Sequence, residues 1–183
     1  MYTRPNEEKM LELEKRIEDF FSARDIKYGF DTDITEICNA LGIEVLSLDL
    51  PEEMGDEIAG VLLVQKDGKF IGINSSLKVD DARFVIAHEL SHYISQEGHL
   101  EYAFKDKLYH GNEKSQTEHE MDYMAASILV PRKQFKSYLN LLGINAIHTL
   151  DEAKNIDPMI VALLRRKFHV NPDLIYRRIM EVS

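Results

Sequence analysis

The sequence predicts an α+β protein in which a small, mostly antiparallel sheet packs on a central apolar helix, with further helical segments at the N- and C-termini. Three observations lead there. Two adjacent runs rich in Val, Leu and Ile, 58–65 and 69–74, are joined through Asp67-Gly68, and helical spacings of three and four recur before and after them. The 183 residues are 44% apolar, enough for one core that hides roughly two-thirds or more of the unfolded surface. No internal repeat or low-complexity linker divides the chain. It reads as a single domain over 1–183, with a core at about 30–131 and a helical extension at about 132–183.

From the N-terminus, Pro5-Asn6 opens a helix whose Met10, Leu13, Ile17 and Phe20 form one apolar face. Asp33 followed by Glu36 reads as a capping box, starting a short helix that Gly42 ends. Ile43 to Leu48 follows as a strand, then a loop from Leu50 to Asp56 carrying Pro51 and Gly55. Asp67-Gly68 suits a type I′ turn, which needs positive φ at both central residues. Asp80 is placed to cap the next helix, with Val79 and Phe84 as a hydrophobic staple and Gly98 as its end. Within it, Phe84, Val85, Ile86, Ala87, Leu90, Tyr93 and Ile94 leave almost no polar face, so this helix is central and buried.

Residues 99–114 are polar and aromatic without a period and read as a loop or lid. Helices then run from about Ser115 to Val130 and onward from Pro131. Two more begin at Asp157-Pro158 and Asn171-Pro172, each with a capping residue before proline at the first helical position.

Composition excludes several classes of function. With 22 basic and 32 acidic residues the net charge is −10, which opposes broad binding to nucleic acid or anionic lipid. No run of eighteen or so apolar residues spans a membrane and no signal-peptide pattern opens the chain, so a cytoplasmic protein is expected. Cys38 is the single cysteine, which leaves no internal disulfide or cysteine zinc cluster; on the helical stripe of Ile34, Ile37 and Leu41 it reads as a small buried hydrophobe.

The central helix carries His88-Glu89-Leu90-Ser91-His92. Residues four apart on a helix differ by about 40° in azimuth and about 6 Å in rise, so both imidazoles can reach one metal ion while Glu89 faces a water bound to it. Two histidines and a glutamate are costly to bury in an apolar helix unless paired or coordinated. Chance supplies about 0.03 such motifs in a chain of this composition. Zinc suits the set: two neutral imidazoles and a carboxylate leave a fourth position open for water, whose pKa the metal lowers towards about 7. Glu89 would take the proton of that water and hand it to the leaving amine.

The third ligand is sought on the following helix, where Met121, Ala125, Ile128 and Leu129 define the buried stripe. Glu118 and Asp122 fall on it, as a ligand and as an acceptor for the free N–H of a ligating histidine. Ser115-x-x-Glu118 and Thr117-x-x-Glu120 also read as capping boxes, and Glu120 or His119 are the competing ligands.

These residues resemble a family. Ile71-Gly72-Ile73-Asn74, then His88 to His92, then Glu118 through Asp122 to Ala125-Ala126-Ser127-Ile128-Leu129-Val130-Pro131 are similar to the ImmA/IrrE metallopeptidases, over roughly residues 57–131. The resemblance implies one zinc per chain on His88, His92 and Glu118, with Glu89 as general base. It also implies an intracellular endopeptidase that cuts a helix-turn-helix repressor of a mobile element or stress regulon. Ser91, Met121 and Met124 depart from the family's usual Gly, Ala and Phe, which changes packing more than ligation.

An extended substrate needs a strand to pair with, and an edge of the Val61 to Asn74 hairpin is the expected place. An oxyanion partner besides zinc is sought among Tyr93, His99, Tyr102, Tyr109, His110 and Tyr123. The tail, with Ile160, Leu163, Leu164 and Phe168 before His169-Val170-Asn171 and Ile175, Ile179 and Val182 after it, is similar to a helix-turn-helix, with Val170 and Ile175 as a staple. Arg165, Arg166, Lys167, Arg177 and Arg178 barely outweigh Asp157, Asp173 and Glu181, so docking onto the core or a protein partner is expected rather than direct nucleic-acid binding, and the arginines read as a solvated face. The alternative function is a non-catalytic metal-binding regulator that contacts a repressor or DNA through these helices. The oligomeric state, the scissile bond and the trigger for cleavage are not encoded in any motif.

Overall fold

The computed structural model describes residues 4–49, 58–96, 102–107, 115–144, 147 and 149–182. Within them lie helices α1 (Glu7–Ser22), α2 (Ile34–Ala40), α3 (Val79–Ser95), α4 (Gln116–Leu129), α5 (Arg132–Leu141), α6 (Leu150–Lys154), α7 (Pro158–Phe168) and α8 (Pro172–Val182). Strands β1 (Ile43–Leu48), β2 (Ile58–Gln65), β3 (Gly68–Asn74) and β4 (Tyr102–Lys107) form a sheet in the order β1-β3-β2-β4. The α+β reading holds, and two of the three strand pairings are antiparallel; β1 runs parallel to β3, with Val45 opposite Ile71.

Local chemistry explains most element boundaries. Asn6 caps α1 by accepting from the Lys9 N–H at 2.8 Å, and Met10, Leu13, Ile17, Phe20 and Phe21 bury one face of it. Asp33 caps α2 through the Thr35 N–H at 2.8 Å, a simple cap in place of the expected reciprocal box. Gly42, with φ of 68°, ends that helix in the left-handed region and turns the chain into β1. Asp157 and Asn171 cap α7 and α8, and His169 closes α7 with φ of 52°. A short α6, not among the expected helices although Thr149-x-x-Glu152 signals its start, is held by a full capping box between Thr149 and Glu152. Val170 and Ile175 are both buried at the α7–α8 turn.

Four expectations fail for reasons of packing. Gln65 pairs with Gly68, so the hairpin turn is centred on Lys66-Asp67, one residue early, and positive φ occurs at neither. The register follows the core face, where Leu62 lies opposite Ile71 with both fully buried, and the turn chemistry yields to it. Lys78 precedes α3 without a side-chain cap, Val79 is 76% exposed, and the expected cap and staple do not form. The acids there serve the α7–α8 turn instead: Asp80 meets Arg165 at 3.0 Å and Asp81 accepts from Asn171 at 2.9 Å. Residues 102–107, expected in a loop, pair with β2 as β4. Consequently β2 and β3 are flanked on both sides and the hairpin has no free edge for a substrate strand; the outer strands are β1 and β4. The expected 50–56 loop, Gly98 and the rest of the 99–114 segment lie outside the described residues.

The tail packs on the core as expected, but its arginines are not all a solvated face. Arg178 is 0% exposed; it pairs with Glu181 at 2.9 Å, approaches Glu14 of α1 at 3.4 Å and donates to the Val130 carbonyl at 2.9 Å. Arg177 also pairs with Glu181, at 2.9 Å. Cys38 is fully buried, and burial pushes its thiol up to about 12, in keeping with a structural role. Among the described residues no helix is long and apolar enough to cross a membrane.

Candidate metal centre

Helix α3 is buried from Ile86 to Ile94, so its histidines and Glu89 leave solvent together. His88 and His92 are 2% and 4% exposed and Glu89 is 0% exposed. The two imidazoles, one turn apart, stand with ring centroids 5.0 Å from one another. Ser91, between them, donates to the Ala87 carbonyl at 2.7 Å, which satisfies its hydroxyl within the helix.

Helix α4 packs against α3 and brings the acids. Ser115 caps it, accepting from the Glu118 N–H at 3.2 Å, while the Glu118 side chain turns to the imidazoles instead of back to the cap. Its oxygens lie 3.1 Å from His88 Nε2 and 3.6 Å from His92 Nε2. Asp122, one turn on, has Oδ1 2.9 Å from His88 Nδ1. Of the competing ligands, Glu120 points to α1, 3.4 Å from Lys9 Nζ, and His119 lines a separate hollow beside Arg4 and Lys9. His88, His92 and Glu118 each offer a ligand atom, all within 4.8 Å of one another.

Electrostatics match this geometry. Hydrogen bonding with His88, then with His92, holds the Glu118 carboxyl far below the usual carboxylate range, against the opposing effect of its burial. The two ring nitrogens of His88 face different acids, Nδ1 towards Asp122 and Nε2 towards Glu118. With Nδ1–H donated to Asp122, a cation between Nε2 and the carboxylate, 3.1 Å apart, would take the place of the proton that this contact otherwise shares. The nitrogen and oxygen donor set fits zinc on the same grounds.

The oxyanion candidates divide. Tyr93 is buried, stacks edge-on against Phe20 and takes a hydrogen bond from Lys69 at 3.1 Å; Tyr123 is buried and donates to Glu14. Both are structural. His99, Tyr109 and His110 lie outside the described residues, and Tyr102 is described through its backbone alone. A groove of about 900 Å³ between the start of α3 and α7 is lined by Phe30, Val79, Tyr138 and Leu163 and not by the imidazoles.

A peptidase-family model described as the IrrE N-terminal-like domain matches residues 38–180, a span that contains every residue of this constellation. No curated protein matches the chain. The fold is similar to that of a solved Mycobacterium tuberculosis transcriptional regulator, with a TM-score of 0.52 and 18% identity, over 91% of this chain and 46% of that one. That likeness concerns the fold alone, and the chain spans about half the length of the regulator. The family match covers well over half of the sequence, and with it the chain belongs to the IrrE N-terminal-like peptidase family, the ImmA/IrrE group that its motifs resemble.

Proposed function

We propose that the protein is a cytoplasmic zinc endopeptidase, a single metallopeptidase domain that hydrolyses a peptide bond in a helix-turn-helix repressor. The observation that carries this reading is the convergence of His88, His92 and Glu118 ligand atoms within 4.8 Å, next to a fully buried Glu89 on the same helix. His88, His92 and Glu118 would hold one zinc ion per chain, and Asp122 would orient His88 from behind. A zinc ion bound there supplies Lewis acidity, which makes water nucleophilic near neutral pH and polarises a carbonyl.

Within this reading Glu89 is the general base: its carboxylate accepts a proton from the attacking water and returns it to the leaving amine nitrogen. Burial suits that work, because a low-dielectric surround strengthens the hydrogen bond between carboxylate and water and keeps bulk water away from the reacting bond. A structural zinc site is closed by four protein ligands, so three ligands with Glu89 beside them as a further, non-ligating carboxylate favour hydrolysis over storage or sensing.

The test is to mix purified protein with candidate helix-turn-helix repressors from the same organism, with and without a chelator, and to read fragments by mass spectrometry. A single chelator-sensitive cut is expected. His88→Ala is expected to lose the zinc, whereas Glu89→Gln keeps about one zinc per chain and cuts on the order of 100-fold or more slowly. Unchanged cleavage by Glu89→Gln would refute the general-base assignment. A zinc-loaded wild type that binds the repressor without cutting it would favour the non-catalytic regulator.

A further inference from the structure

Gly60 lies in β2 where the ladder to β4 loses its regular register. Ile58 pairs with Lys107 and Gly60 with Asp106, so two steps along β2 match one along β4, and Ala59 is the extra residue of a β-bulge. On its other side Gly60 pairs regularly with Ile73. Its backbone is not in the left-handed region, so conformation does not select glycine there. Space does. A Cβ on Gly60 would lie 2.5 Å from Val85 Cγ1, 3.0 Å from Glu89 Oε1 and 3.3 Å from Glu89 Cγ. Val85 and Glu89 are one turn apart on α3, and β2 packs across that helix. Bare backbone is thus pressed against the carboxylate assigned as general base, at a bulge, where strands commonly re-aim the groups beside them.

We infer that Gly60 is a positioning residue for Glu89: only a residue without a side chain lets the carboxylate keep its place beneath β2, and a methyl at 60 moves it. The inference rests on Glu89 acting as the general base and adds what sets the position of that base. Glu89 has no exposed surface, so it cannot yield by swinging into solvent. Val85, β-branched and held in a helix, yields little more. A close-packed interior passes such a displacement on.

Two variants separate packing from positioning, because Val85→Ala removes the methyl 2.5 Å from the new Cβ and leaves the 3.0 Å contact with Glu89. Gly60→Ala, Val85→Ala and the double variant are compared for zinc content, thermal midpoint, crystal structure and kinetics on a quenched peptide spanning the bond that wild type cuts. All should bind about one zinc per chain. The double variant should recover most of the thermal midpoint lost by Gly60→Ala, show a displaced Glu89 carboxylate, and keep kcat on the order of 10-fold below Val85→Ala with KM within about twofold. A double variant with the kcat of Val85→Ala, with an unmoved carboxylate, or without zinc would overturn the inference. Failure of the underlying reading is visible elsewhere, in a wild type that cuts nothing or a Glu89→Gln variant that still cuts; the crystal structure of the double variant then decides alone whether the methyl displaces the carboxylate.

Discussion

Asp122→Ala isolates what the residue behind His88 contributes to metal affinity. Its Oδ1 is 2.9 Å from Nδ1, and the two side chains are 7% and 2% exposed, so water is poorly placed to replace the lost acceptor. Removing the group that orients a ligating imidazole typically weakens binding 10- to 100-fold, about 1.4–2.8 kcal/mol at about 1.4 kcal/mol per factor of ten. The depth of the pair places Asp122→Ala towards the upper end of that range. Asp122→Asn keeps an oxygen to accept from Nδ1–H but loses the charge, and belongs near the lower end. Competition for zinc against a chromogenic chelator near neutral pH measures both, with the melting of the metal-free proteins as a control for folding. A zinc affinity for Asp122→Ala within about twofold of wild type, at equal stability, would refute the argument that this hydrogen bond holds the ring for a metal.

The buried cation is expected to dominate stability at the C-terminus. Arg178→Ala takes from Glu181, 1% exposed, the fully buried one of its two arginine partners and leaves only Arg177 of that pair, which costs up to about 3–5 kcal/mol and lowers the thermal midpoint by up to about 6–20 °C. Lys15→Ala, breaking an exposed pair with Asp19, should shift it by about 2 °C at most; comparable shifts in the two variants would show that burial does not set the difference. Cys38 should resist iodoacetamide at about pH 8 in the native protein and react once denaturant is added. Because its folded-state thiol is raised from 9.0 to about 12, it leaves stability unchanged below the lower value and reduces it as pH rises between the two, a slope that Cys38→Ala should lessen in alkaline melts.

Features written in short-range periodicity are legible in the amino-acid sequence itself. The His88–His92 pair needs only one turn of helix, the apolar run around it implies burial, and the caps at Asn6, Asp33, Asp157 and Asn171 act within three residues of themselves. Asp122 emerges from the same arithmetic, since its stripe on α4 is the one that meets α3. The 102–107 segment defeats that method: an edge strand is defined by its partner β2, and Tyr-Ala-Phe followed by three charged residues shows too little alternation to announce it.

Residue types and helical faces, which the chain specifies through interactions a turn or less apart, thus yield a motif, a fold class and a ligand shortlist. Which member of that shortlist meets the imidazoles depends on the docking of α4 onto α3, which turns Glu118 inward and leaves Glu120 with Lys9. The same holds for Arg178, polar in sequence and wholly enclosed once α1 and α8 approach, and for Gly60, whose lack of a side chain matters only because Val85 and Glu89 arrive from a different element. Contacts between distant segments cost chain entropy and are settled by the packing of the whole core, so no local pattern carries them.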